Sequence, residues 1–469
     1  MVAAAELTSP EVESYLRRRT GVAASTTSLS WRQRLIHSRW TWLSLILILV
    51  YAATMWILMS DVARSRTAED GTVTPGLNAD ALWLSAGKAW PTLAFWIVCF
   101  ILVDRYKPQR VLVWFLAVAW GACAAVTGSY YVNSWVGTQM AVVDETSGVA
   151  AVRVAVFVAP FVEEASKACV VFLIAVVNRH RFSSRVSGAV IGGLAGAGFA
   201  FTENIIYYAR VVVYGSYTSG AGDVMAYLDQ LVWMRGVLTC FGHPLFTMMT
   251  GLGVAFAVTS RSKVVRVVAP VAGYLFAAFL HMFFNLWASV LSEEQLTPTL
   301  FAMVWLVVAS VGFRLATSSV RQGRVIAARL SDYVTMGWLP PQFPAAFGRL
   351  RTRAWTVVMS LFHANVVKTW QLQTTVTELA VLRCAITAGT VDRGGLGRER
   401  ELVERIDQLM ASGGLVDGTG LRPVWPWKRW RPSRWTSSLR HWLLGPSSNA
   451  TSASPMKYSA VDPRWGPPQ

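Results

Sequence analysis

Apolar residues in this chain fall into long blocks, with neither a two-residue alternation nor a single amphipathic face. A helix of roughly 20 predominantly apolar residues crosses about 30 Å of hydrocarbon, and eight blocks reach that length. They run from Trp40 to Met59, Leu82 to Val103, Val111 to Val132, Val154 to Val177, Val186 to Ala209, Gly236 to Val258, Val267 to Leu291, and Thr299 to Ala316. Lys88 and Pro91 interrupt the start of the second. The pattern predicts an all-α fold, a polytopic membrane helix bundle of about eight transmembrane helices over residues 40–316.

The distribution of Lys and Arg orients the bundle, because short cytoplasmic loops collect basic residues. Arg105, Lys107 and Arg110 follow the second block, Arg179, Arg181 and Arg185 the fourth, and Arg261, Lys263 and Arg266 the sixth. The intervening loops carry Asp144 and Glu145, Asp223 and Asp229, or Glu293 and Glu294. This predicts a multi-pass protein of the cell membrane with both termini in the cytoplasm. Residues 1–39 form a cytoplasmic segment with Arg17, Arg18, Arg19, Arg32, Arg34 and Arg39, and the first block reads as a signal anchor rather than a cleavable signal peptide.

Composition agrees with a membrane protein. The 469 residues are 54% hydrophobic and 15% charged, with a mean hydropathy of +0.40, whereas a soluble chain carries about 25% charged residues. A soluble multidomain enzyme and a disordered regulator are both excluded. The formal charge of +17 collects in cytoplasmic loops and in the region after Thr317, so no nucleic-acid partner is expected. That region divides into residues 317–421 and 422–469. The first predicts a small helical module, with helices at Ala364–Ala388 and Arg400–Met410 divided by a turn at Gly394-Gly395. The second is a basic, Trp- and Pro-rich tail. It either lies on anionic lipid headgroups or stays disordered and solvated. The five cysteines show no paired spacing, which argues against disulfides or a thiolate zinc site.

An ionisable side chain in mid-span costs about 3 kcal/mol on insertion scales and asks for a reason. Nearly all of these lie in blocks four to seven: Glu163, Glu164 and Lys167, then Glu203 with Asn204, then His243 before Pro244, then His281 and Asn285. Lys167 stands four residues from Glu163 and three from Glu164, so either carboxylate can meet the ammonium on one helix face. Pro160, within a turn of the pair, frees a backbone carbonyl. At 1.5 Å per residue, Glu163 lies ~14 Å, His243 ~10 Å, Glu203 ~9 Å and His281 ~15 Å from the outer ends of their spans. Four helices thus bring carboxylates and imidazoles to one depth, in the outer half of the membrane. Two functions need such a site: hydrolysis in the membrane, or transport or conduction through intramembrane Glu, His and Lys. A noncatalytic scaffold leaves the adjacent glutamates unexplained.

The ordered set Glu163-Glu164-x-x-Lys167, Gly198-Phe199-x-x-x-Glu203-Asn204, His243 and His281-x-x-x-Asn285 resembles the PrsW family of intramembrane proteases, related to the CAAX-processing and bacteriocin-immunity type, whose second motif ends in His where this chain has Glu203. The resemblance covers the core at residues 154–291. It implies an endopeptidase that cuts single-span membrane proteins near the outer face, an anti-sigma factor being the model substrate. It further implies Glu163 as the base that activates water, Glu164 held by Lys167, His243 and His281 binding a metal or polarising the scissile carbonyl, and Asn285 supporting the oxyanion. With Glu203, the two histidines would make three ligands for a divalent metal such as Zn2+. Hydrolysis by glutamate and histidine alone is the other reading. The His-Glu-x-x-His zinc signature is absent.

Overall fold

The structure is a computed structural model that describes residues 36, 39–67, 71, 73–104, 111–144, 147–177, 185–217, 222–260, 262–290, 293–387 and 393–422. The N-terminal arginines up to Arg34, the loop residues Arg105, Lys107, Arg110, Glu145, Arg179, Arg181 and Arg261, and the tail from Pro423 lie outside the described residues. Of the described residues, those up to Thr317 form one compact unit and those from Ser318 a second.

The first unit is a bundle of helices. It contains α1 (Arg39–Val62), α2 (Ala79–Val103), α3 (Val111–Ala119) continued through a wide π turn into α4 (Val126–Asp144), α5 (Ser147–Arg153), α6 (Ala159–Val177) and α7 (Arg185–Tyr217). Then come α8 (Val224–Val232), α9 (Gly242–Thr259), α10 (Lys263–Val290) and α11 (Glu293–Thr335), the last extending past Thr317. A two-stranded antiparallel pair, Arg66–Thr67 with Val73–Thr74, follows α1. Six segments are long and apolar enough to cross a membrane among the described residues: Thr41–Val62, Ala79–Val103, Val111–Met140, Arg185–Gly215, Val224–Thr259 and Lys263–Val290. The predicted fourth block is helical, but Glu163, Glu164 and Lys167 lower its apolar character. The eighth lies within α11.

Central position belongs to α7, which packs against α2, α3, α6 and α9. Along its contact with α9, Gly188, Gly192 and Gly196 recur every fourth residue, the small-residue spacing that lets two membrane helices touch backbone to backbone. A Cβ on Gly196 would meet the His243 carbonyl oxygen at 2.2 Å, so only glycine fits there. Around this contact Phe100, Val170, Val171, Ile174, Val190, Ile191, Leu194 and Val254 form the main apolar core. Large apolar side chains such as Trp56, Trp83, Val176, Val267 and Phe279 point outward, as lipid-facing positions require.

Two helices are broken beside the core. Residues Val154–Val158 form a π turn before α6, and Trp233–Leu238 form another between α8 and α9. Pro160 accounts for the first: Ala159 donates to the Val154 carbonyl five residues back, and Pro160 has no N–H to continue that pattern to Ala155. Lys88, which interrupts the second apolar block, pairs with Asp229 of α8 at 2.7 Å.

The second unit comprises the end of α11, α12 (Phe343–Gly348), α13 (Leu350–His363), α14 (Val366–Thr387) and α15 (Arg393–Ala411). The two helices read from sequence correspond to α14 and α15. Gly394-Gly395 falls inside the first turn of α15 rather than dividing the pair, because that helix begins seven residues earlier than its apolar periodicity shows. Its core holds Tyr333, Trp338, Phe343, Phe347, Met359, Leu372, Leu379 and Ile406. Inside it, Tyr333 donates a short hydrogen bond to the buried Glu399, which also faces Arg383 at 3.7 Å.

Candidate functional site

Lys167 stands at the middle of the polar cluster. Its Nζ has three donors and three acceptors: Glu164 Oε1 at 2.8 Å, His243 Nδ1 at 2.9 Å and Glu163 Oε2 at 3.4 Å. The ring face of Phe199 lies 3.9 Å from the ammonium, adding a cation–π contact in a dry setting. Lys167 and Glu164 are fully buried, whereas Glu163 is 7% exposed. The adjacent glutamates therefore have different surroundings. Glu164 is saturated, with Oε1 accepting from Lys167 and from His281 Nδ1 at 3.2 Å, and Oε2 from Thr247 at 2.8 Å. Glu163 lines a cavity of about 550 Å³ and has looser partners, Asn133 Nδ2 at 3.5 Å from Oε1 and His281 Nε2 at 3.9 Å from Oε2.

Each imidazole gives one ring N–H to a carboxylate. His281 uses Nδ1 toward Glu164, and His243 uses Nε2 toward Glu203 at 2.9 Å. A carboxylate can only accept, so these contacts fix the tautomers. The remaining nitrogens are His281 Nε2, which faces Glu163, and His243 Nδ1, which accepts from Lys167. The rings stand 5.0 Å apart and nearly perpendicular, and Phe246 stacks on His281 at 5.0 Å.

Glu203 is held from the far side. Arg235 donates from Nη2 to Glu203 at 2.6 Å and from Nε to Asn204 at 2.8 Å, with its guanidinium over the Tyr207 ring at 4.1 Å. Asn285 lines the same cavity, and its Nδ2 donates to the Ala155 carbonyl at 2.8 Å. That is the carbonyl left without a partner by Pro160, so Asn285 ties α10 to the first break.

Of the residues singled out in the sequence, Glu163, Glu203, His243, His281 and Asn285 thus line one cavity, and Glu164 and Lys167 are buried behind it. Two more were not recognised. Asn133 lies one residue past the end of the third apolar block and Arg235 one before the start of the sixth, so both read as loop. An arginine on a predicted outer loop, against the positive-inside trend, was the available signal for Arg235.

The donor chemistry suits a divalent metal. Ligand atoms of Glu163, His243 and His281 all lie within 4.8 Å of one another, a His-His-carboxylate set of the catalytic-zinc type. Both imidazoles donate their other N–H to carboxylates, the usual arrangement behind metal-binding histidines. The converging carboxylate is that of Glu163, while Glu203 Oε2 is engaged by Arg235 and His243; Lys167 holds His243 Nδ1 and Glu163 Oε2 here, so a metal would take these atoms from the ammonium.

Residues 107–313 match the family model of the PrsW family intramembrane metalloprotease. Over these residues the membrane core is similar to the PrsW family. No curated protein and no solved structure matches the chain. The PrsW match spans α3 to the first half of α11 and includes every helix that contributes to the cavity, except α2 through Thr92. The protein is a multi-pass membrane peptidase that works on other membrane proteins, and the family is by description one of metalloproteases.

Proposed function

We propose that this PrsW-type peptidase hydrolyses a peptide bond of single-span membrane proteins near the outer side of the membrane, with Glu163 as general base. An anti-sigma factor is the substrate type that the family resemblance suggests. One observation carries the reading: of two adjacent glutamates, only Glu163 opens onto the cavity, and it faces the His281 Nε2 lone pair.

Glu163 Oε2 faces Lys167 and His281, and Oε1 stands beside Asn133 on the cavity wall. Oε1 takes a proton from the attacking water as the oxygen adds to the scissile carbonyl, and that proton is delivered to the departing amine. Lys167 holds Glu164 in place, and Glu164 in turn fixes the His281 ring. Arg235 does the same for Glu203, and Glu203 for His243. A divalent metal such as Zn2+, held by His243, His281 and Glu163, would supply Lewis-acid polarisation of the carbonyl and a more acidic water. Asn285, tied to Ala155 beside the cavity, supports the oxyanion.

The test is incubation of the purified protein with candidate single-span substrates, comparing wild type, Glu163→Gln and His281→Ala, with and without chelator. Both variants should lose cleavage while keeping folded abundance, because a catalytic group contributes mainly to the transition state. The double variant should be no worse than either single one, since the groups act as a unit. Independent, multiplying losses would refute a shared site. Reporter fusions that place the loop at Asp144 in the cytoplasm would refute the assignment of the outer side.

A further inference from the structure

Beyond Glu203, the cavity wall on α7 continues with Tyr207 and Arg210. These positions are spaced four and seven residues from Glu203, so all three side chains lie on one helix face. The charges deeper in the cavity are matched: Arg235 is taken up by Glu203 and Asn204, and Lys167 by Glu163, Glu164 and His243. Arg210 is different. It lines the cavity half-buried, 6.0 Å from the Tyr207 ring, and has no acidic partner among the described residues. Arg210 thus stands at the predicted outer end of its span with its guanidinium on the cavity wall, where an anion entering the cavity can pair with it.

We propose that Arg210, with Tyr207 beneath it, is a substrate subsite that takes an acidic side chain. It rests on the hydrolytic reading of the Glu163–His281 cavity. Seven residues of helix place Arg210 about 10 Å along the axis from Glu203. An extended chain covers that distance in about three residues. Glu203 holds His243, whose ring stands 5.0 Å from that of His281, so the bond cleaved lies near the level of Glu203, and the preferred substrate carries Asp or Glu about three residues from it, on the side toward the C-terminal end of α7. Guanidinium and carboxylate pair through two parallel hydrogen bonds, which fixes register as well as affinity.

The experiment uses purified full-length protein in phosphatidylcholine vesicles and fluorogenic single-span peptides. In one set a single Glu is moved one residue at a time, and product masses report the bond cut. In another, Glu is replaced by Gln or Lys. The cut bond should follow the Glu at constant spacing, and kcat/KM should fall about two- to five-fold from Glu to Gln, the size of a partly exposed ion pair. Arg210→Glu should invert the preference, favouring the Lys peptide. Each preference is a ratio within one protein, so a lower folded fraction cancels. Should Arg210→Glu not fold, Arg210→Gln should erase the preference, and the wild-type Glu scan tests the register without any variant. Equal kcat/KM for all three peptides and a fixed cut bond would overturn the subsite while leaving the hydrolytic site standing. A rate that follows added phosphatidylglycerol and ignores peptide charge would make Arg210 a headgroup contact and overturn it as well. Failure of wild type to cut any peptide would overturn the hydrolytic reading, and the subsite with it.

Discussion

Gly196→Ala tests whether the site depends on how closely α7 and α9 approach. A Cβ at this position would stand 2.2 Å from the His243 carbonyl oxygen, 2.6 Å from its carbon and 2.9 Å from Pro244 Cα. Ordinary contact begins at 3.4 Å, so the helices must part locally by ~1.2 Å. None of the obstructing atoms belongs to a flexible side chain, and the strain cannot be relieved by a rotamer change. The shift would fall on His243 itself, whose bonds to Glu203 and Lys167 are both 2.9 Å. A displacement of about 1 Å in a catalytic constellation costs on the order of 100-fold. We expect kcat/KM for a single-span substrate to drop by that order, with helix content by circular dichroism retained. Overpacking of this kind costs about 1–3 kcal/mol, which a thermal melt in detergent would register. Gly87→Ala is the control, because a Cβ there meets nothing within 4 Å and should leave both readings unchanged. A Gly196→Ala protein within two-fold of wild-type activity would refute the dependence on backbone approach.

Lys167→Met should inactivate or destabilise the protein, because two buried carboxylates would lose their shared cation, a loss of about 3–5 kcal/mol for a broken buried pair, whereas Lys167→Arg should be milder; abundance and cleavage assays read both. His243→Ala and His281→Ala should lower bound metal, measured by elemental analysis of purified protein, and chelation of wild type should stop cleavage until a divalent ion is restored; undiminished metal in both variants would remove the histidines from the donor set. In the second unit, burial raises the Glu399 carboxyl above its ordinary 4.5, outweighing the opposing effects of Tyr333 and Arg383. A carboxyl raised on folding stabilises below its ordinary value and loses that contribution as pH rises toward the shifted one. Thermal stability of wild type relative to Glu399→Gln should therefore fall as pH increases from 4.5, and a constant difference would contradict the assignment.

Apolar blocks were legible because a lipid-facing helix repeats one requirement for 20 residues. Every apolar block has a helical counterpart, several with ends a few residues beyond the block. Helix extensions were not legible: α4 continues to Asp144 and α7 to Tyr217, past the polar or charged residues at which the apolar blocks end. Those extensions conceal Asn133 and Arg210, and the extension upstream of α9 conceals Arg235. The partners of Glu164 were hidden for a different reason. Spacing allowed Lys167 to meet either glutamate, and the choice is made by Thr247 and His281, which come from helices that sequence order does not bring together.

The polar site and the helix breaks have one physical origin. In hydrocarbon a freed carbonyl is tolerated only where a neighbouring side chain or a cavity satisfies it. At the first break Asn285 caps Ala155 and Tyr274 caps Phe161; at the second, Thr92 caps Gly236 and Trp96 caps Cys240. Each cap draws a third helix against the broken one, α10 in the first case and α2 in the second. The first break stands one turn before Glu163 and the second shortly before His243, so the same hydrogen bonds that make the irregular backbone stable also fix the base relative to α10 and the His243 imidazole relative to α2. His281 and Asn285 are four residues apart on that helix, and the cap at Ala155 therefore sets the height at which His281 faces Glu163. Removal of the Asn285 amide would leave Tyr274 as the remaining hydrogen-bonded cap from α10 at the first break and let the distance between Glu163 and His281 drift, even though Asn285 touches neither.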